Sequence, residues 1–186
     1  MLTEGENTLE IDNKWPEIAI FQTKKYRNAR VEAHNALFWM ARASHSFLDP
    51  TLGNSHLSLF WNEDNCDFRT RLLVDGCQIG LHLPDLELYF CDHGEKVPHS
   101  FWLDDKTPAF VEAWYLVELL HRGIEQEKFS TALPFESPDM LMGDTEDHNA
   151  SLFKTELTAM SECLSCAINI LKIVADQLAR HKNFVN

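Results

Sequence analysis

The sequence predicts an α+β domain: an antiparallel five-stranded meander packed against one mid-chain helix and two long terminal helices. Three observations predict it. Apolar residues recur at steps of three and four over about residues 18–47 and again from Phe153 onward, the period of a helix with one buried stripe. Between His56 and Leu103 the period drops to two. Turn-forming pairs, Asp75-Gly76 foremost, punctuate that middle section at hairpin spacing.

The elements follow in chain order. Residues 1–14 read as a flexible acidic arm ahead of Trp15-Pro16. In the first helix Ala29, Ala33, Leu37, Met40, Ala41 and Phe47 share a stripe. Asp49-Pro50 and Leu52-Gly53-Asn54 close it, because proline cannot continue a helix and Gly and Asn suit turns. Leu57-Ser58-Leu59 opens the meander, and Phe68 to Leu72 forms its second strand. Asp75-Gly76 then turns the chain into Ile79-Gly80-Leu81-His82-Leu83. Pro84-Asp85 leads into Leu86 to Phe90, and Asp92-His93-Gly94-Glu95 into a last strand from Val97 to Leu103. With Ile79, Leu81 and Leu83 facing the core, Gln78 and His82 lie on the other face, near Arg69 and Arg71 or Glu87 and Tyr89. That face is polar, either solvated or a site.

Thr107-Pro108 reads as an N-cap followed by proline at the first helical position, opening a helix to about His121. Its stripe of Phe110, Trp114, Val117, Leu120 and Ile124 is expected on the sheet. Residues 129–151 form a long acidic loop with no Lys or Arg, and Asn149 or Ser151 is the expected cap of the helix that follows. That C-terminal helix spans 152–182, at 1.5 Å per residue roughly 40 Å or more. Its apolar positions Phe153, Leu157, Met160, Leu164, Ala167, Leu171, Val174 and Leu178 alternate steps of four and three, a heptad seam. A helix of that length outruns a core of this size, so a homo-oligomer through it is expected.

The whole chain, 1–186, fits a single domain. Lys and Arg number 16 against 29 Asp and Glu, a net charge of −13 that stays negative even with all nine histidines protonated. Such a field repels nucleic acid and anionic lipid, so neither is an expected partner. The first residues lack a secretory pattern, no apolar run approaches membrane-crossing length, and five cysteines do not pair evenly. A soluble bacterial cytoplasmic protein with reduced thiols is the expectation.

Local motifs supply little chemistry. There is no H-E-x-x-H, no G-x-S-x-G, no phosphate-binding glycine loop and no EF-hand spacing. Cys163 and Cys166 form a C-x-x-C inside a helix, where packing explains them better than redox or zinc chemistry. His34 and His45 stand eleven residues apart on one helix, about 16 Å, too far to share an ion.

A family resemblance rests on ordered residues. The stretch from Ala33 to His56, with His34, Arg42, Pro50 and His56, is followed by Leu119-Leu120-His121-Arg122-Gly123-Ile124, Pro134-Phe135 and Asp144-Thr145-Glu146-Asp147-His148. In that order over about residues 30–150 they resemble an uncharacterised bacterial family, domain of unknown function 5996. The family's Trp-rich stretch beside the strand histidine is reduced here to Leu57-Ser58-Leu59-Phe60-Trp61. The resemblance implies no established activity and instead selects residues.

Two classes of function follow. The first is a binding or assembly module, self-associating through the last helix. The second is a small-ligand-binding protein or enzyme, with a metal as an option, whose pocket gathers His34, Arg42, His56, Asp144 and His148. An Arg beside histidines suits a carboxylate or phosphate, and a His–Asp pair suits a metal or a proton transfer. No catalytic role or cofactor is assigned to any of the five.

Overall fold

A computed structural model describes residues 15–137, 140–141 and 144–183. The expected arm over 1–14 lies outside them. The architecture is α+β, with an antiparallel sheet covered on one face by helices.

The first helix is interrupted. A single turn, α1 (Ile18–Phe21), is followed by α2 (Lys24–Phe47). Thr23 stands between them in an extended conformation and its Oγ1 accepts the Tyr26 amide at 3.0 Å. That capping bond satisfies a backbone donor a continuous helix would otherwise occupy, so the expected unbroken helix from residue 18 is two helices. α2 buries Ala29, Ala33, Ala36 and Ala43, whose small side chains let the sheet and α4 approach closely, together with the larger Met40.

Six strands make up the sheet: β1 (Phe60–Asn62), β2 (Asp67–Arg69), β3 (Cys77–His82), β4 (Glu87–Asp92), β5 (Glu95–Lys96) and β6 (Phe101–Trp102). β1 to β5 pair in chain order, and β6 pairs with β4 beyond β5. The last expected strand, 97–103, is thus two short pieces around Pro98, which has no N–H to donate to a ladder. At the start, Leu52–Leu57 is a 3₁₀ turn and pairing begins at Phe60, after Gly53 and Asn54 take φ of 73° and 56°. The two hairpin signals do turn the chain. Asp75 and Gly76 have φ of 54° and 74°, and His93 and Gly94 have 52° and 89°.

β3 and β4 are central, and Ile79, Leu81, Leu83, Leu88 and Phe90 are buried on one face as the alternation requires. Against that face stand α2, the first half of α4 (Lys154–Asn183), and α3 (Pro108–His121). α3 presents a different stripe from the expected one. Val111, Tyr115 and Leu119 are buried, whereas Phe110, Val117 and Leu120 are exposed. The helix is apolar nearly all round, so spacing alone does not choose the register. Tyr115 does, stacking between Trp39 and Phe129 at 5.7 and 5.1 Å.

α4 is preceded by a 3₁₀ turn, Ser151–Phe153, and the cap is supplied from a distance: Asp104 Oδ1 accepts the Ser151 amide at 2.8 Å. Neither Asn149 nor Ser151 caps through its own side chain here. Phe153, Leu157, Ala159 and Cys166 are buried, so the first half of the helix belongs to the core. Polar residues such as Ser161 and Ser165 interrupt every long apolar run. Even so, the 151–180 stretch reaches a windowed mean hydropathy of 1.5 and is long enough to cross a membrane by length and composition. The core helix of a soluble protein meets the same measure.

On the opposite sheet face Gly80 makes room for Tyr89. A Cβ at Gly80 would lie 2.3 to 2.6 Å from three atoms of the Tyr89 side chain, closer than packed atoms tolerate. Gly80→Ala is expected to destabilise the fold by about 1–3 kcal/mol, the usual range for overpacking. The loss should largely vanish in a Tyr89→Ala background. Denaturant midpoints of the four proteins check this, and an equal loss in both backgrounds refutes it.

Candidate functional site

The five residues singled out by sequence occupy separate environments. His148 is fully buried, and its Nδ1 lies 2.8 Å from Glu32 Oε2 on α2. Its backbone bonds both ways with the 104–106 segment, donating to Lys106 O and accepting from the Asp105 amide. His56 is buried in the turn after α2, where its Nδ1 receives the Thr51 amide at 3.3 Å. Its ring lies 6.1 Å from that of His45, and His45 Nδ1 and His56 Nε2 are buried without a hydrogen-bond partner. Asp144 is exposed.

Arg42 is buried and serves the loop. Its Nε donates to Thr131 O at 2.8 Å, and its guanidinium lies 4.4 Å over the Trp39 ring. Burial pushes its pKa below the ordinary arginine value, with Tyr115 and Glu112 opposing. His34 lies eight residues earlier, about 12 Å along the axis of α2. The cavity beside His34 is lined by none of the other four, and the same holds for the cavity beside Arg42. Neither cavity gathers the five: His148 meets α2 at Glu32, His56 approaches it at His45, and Asp144 is exposed.

His34 instead joins residues that sequence reasoning passed over. A cavity of about 470 Å³ is lined by Arg27, Arg30, Val31, His34, Asn35, Phe38 and Ser137. Among the described residues no carboxylate lines it. Neither arginine is in an ion pair among the described residues. Burial, with Arg30 adding to it, lowers the His34 pKa, so the imidazole is neutral at neutral pH and offers a single N–H. The signal was local and visible: 27, 30 and 34 are steps of three and four on one helix face.

The polar sheet face is a second concavity, of about 600 Å³, walled by Asp64, Asp67, Arg69, His82, Glu87, Tyr89, Lys96 and Trp102 among others. Here the charges answer one another. Asp67 is buried and accepts hydrogen bonds from the Tyr89 hydroxyl and from Arg69 Nη2, the latter at 3.3 Å. Lys96 Nζ meets Glu87 Oε1 at 2.7 Å and sits 4.4 Å over the Tyr89 ring. His82 Nδ1 meets Asp85 at 3.1 Å. The face that the alternation left open is thus a network satisfied from within.

A third feature is the second half of α4. Ile170, Leu171, Val174 and Leu178 are 37, 62, 44 and 60% exposed, although they continue the seam that is buried further up. Side-chain bonds hold this helix beside the sheet edge, from Trp61 Nε1 to Ser165 Oγ at 3.1 Å and from Lys172 Nζ to Glu63 Oε1 at 2.7 Å. Cys163 and Cys166 lie within α4, and no disulfide joins the chain's cysteines, all of which are among the described residues.

No family model matches the chain, and no curated protein or solved structure does so either. The likeness to domain of unknown function 5996 accordingly rests on the ordered residues quoted above.

The pKa of each of the three tyrosines is raised. Burial is the main cause throughout; for Tyr89 the hydrogen bond to Asp67 adds to it. The fold favours the neutral phenol, so this contribution to stability is complete below the ordinary value of about 10 and is lost as pH rises above it. Phenolate absorbance of the native protein should therefore begin at higher pH than that of the chain in denaturant. Coincident onsets would contradict the arrangement.

Proposed function

We propose that the protein is a self-associating module in which the α4 seams of two copies pair. The observation that carries the reading is the exposure of Ile170, Leu171, Val174 and Leu178 on one stripe in the second half of a helix whose first half is built into the core. A second copy suits that stripe better than a charged partner. From Leu164 to Leu178 the seam and its flanks, including Ala167, Ile168, Ala175 and Gln177, carry no charge, so nothing opposes an isologous approach. It suits better than a bilayer too, because Lys172, Asp176 and Arg180 lie on the far side of the same turns.

Sedimentation of the full chain should report a dimer, and Leu171→Glu with Leu178→Glu should give a monomer of unchanged far-UV circular dichroism. A wild-type monomer at ~100 µM, a concentration at which even weak specific dimers assemble, overturns the reading. Should that monomer bind lipid vesicles, the stripe is a membrane surface.

The cavity beside His34 supports a second reading, a small anionic ligand. In a chain of net charge −13 it gathers two arginines and a histidine, with no carboxylate among the described residues of its wall. Arg27 and Arg30 would take a carboxylate or phosphate by paired N–H bonds, and neutral His34 would donate one more. Titration with inorganic phosphate and with succinate, followed by amide and imidazole NMR, is expected to shift α2 resonances. Arg27→Gln with Arg30→Gln should abolish the shifts, and shifts that survive the double substitution count against this pocket.

A further inference from the structure

A cluster that neither reading uses lies at the other end of the molecule. His99 follows Pro98 between β5 and β6; Glu118 and His121 are on the last turns of α3. Glu118 Oε1 faces two imidazoles, with His99 Nδ1 at 3.7 Å and His121 Nδ1 at 3.8 Å. One ligand atom from each residue lies within 4.8 Å of the other two. Both separations are within ion-pair range for a protonated imidazole, and both are longer than a hydrogen bond.

The surroundings are those of an oriented ligand set. Glu118 is buried, and its second oxygen, Oε2, accepts Arg122 Nη1 at 2.7 Å. Arg122 is fixed in turn by Asp92 Oδ1 at 3.0 Å and by stacking 4.3 Å over Phe90. One carboxylate oxygen is therefore tied back and the other is turned to the imidazoles. The Trp114 indole donates to His99 O at 3.3 Å and holds the third residue's backbone. Outer contacts of this kind set the direction of metal ligands.

We propose that His99, Glu118 and His121 bind one divalent transition-metal ion of the zinc class. Two imidazoles and a carboxylate suit such an ion, with any further position open to solvent. At bond lengths of about 2.0–2.2 Å and near-tetrahedral angles, two ligands of one ion stand roughly 3.4 Å apart. The His–Glu spacings of 3.7 and 3.8 Å, and a His–His spacing within 4.8 Å, thus close on one ion by rotation of two imidazoles that are 66 and 56% exposed. The signal in the sequence is the pair Glu118-x-x-His121, one helical turn apart, and only the fold brings His99 to it.

The test uses the full chain, freed of metal by a chelator and titrated with Co²⁺ alone, whose visible d–d absorption reports nitrogen and oxygen ligation. One equivalent is expected to bind, and His99→Gln with His121→Gln is expected to remove the band. Because both side chains are exposed, that variant should keep the wild-type thermal unfolding curve. Arg122→Gln leaves the three ligands in place and is expected to weaken binding about 10-fold or more, the usual cost of an outer-shell loss. The variant Cys163→Ser with Cys166→Ser should retain the band. The proposal is overturned if the band persists in the histidine variant, if it disappears with the cysteines, or if the wild-type protein binds no more tightly than ~100 µM.

Discussion

The contact on which the fold closes is the buried pair of Glu32 and His148, separated by 116 positions in the chain. Glu32 lies in the first half of α2, and His148 ends the long loop that precedes α4. Around it the His148 backbone is bonded to the 104–106 segment, which leads directly into α3. One side chain thus joins the first long helix, the entry to α3 and the entry to α4. Removing either partner would leave a buried polar or charged group unmatched, a loss of about 3–5 kcal/mol for such pairs and a large share of a domain's total stability.

With that junction made, the loop from 129 onward has both ends fixed and lies along α2. Its described residues are held to α2 without a carboxylate in any of the contacts. Ser130 and Ser46 bond one another, Arg42 takes Thr131 O, the Leu141 amide meets Asn35 Oδ1, and Phe135 packs on Phe38 at 5.8 Å. The cations at the start of α2 are used otherwise. Lys25 pairs with Glu156 of α4 at 3.2 Å, while Arg27 and Arg30 turn to the cavity beside His34. Among the described residues the loop's Glu136, Asp144, Glu146 and Asp147 and the helix's Arg27 and Arg30 are thus left toward solvent, which keeps a basic spot on a strongly acidic molecule.

How far the sequence could be read depended on whether a feature was local. The turns at Asp75-Gly76 and His93-Gly94 were legible because left-handed backbone needs such residues within two positions. The buried face of β3 was legible from its alternation alone. The α3 stripe was not, because Phe110 and Val111, or Trp114 and Tyr115, are equally apolar neighbours and only the fit of Tyr115 against Trp39 and Phe90 separates them. The same holds for sites. Arg27, Arg30 and His34 could be read from spacing, whereas Glu32 with His148 depends on closure of the whole chain. The histidines gathered into one expected pocket were divided because α2 is long enough to carry several independent contacts.

The bonds from Trp61 to Ser165 and from Glu63 to Lys172 bear on how the molecule behaves at high concentration. β1 is the free edge of the sheet and three residues long, and α4 is tethered to its middle at Trp61 and just past its end at Glu63. An exposed strand edge invites end-to-end stacking without limit, whereas a tethered helix beside a short edge denies that route. In the proposed dimer, contact between copies would fall instead on the exposed stripe of α4, a surface used up once two molecules meet. Fibre growth from an antiparallel edge would then be exchanged for a closed particle of fixed size.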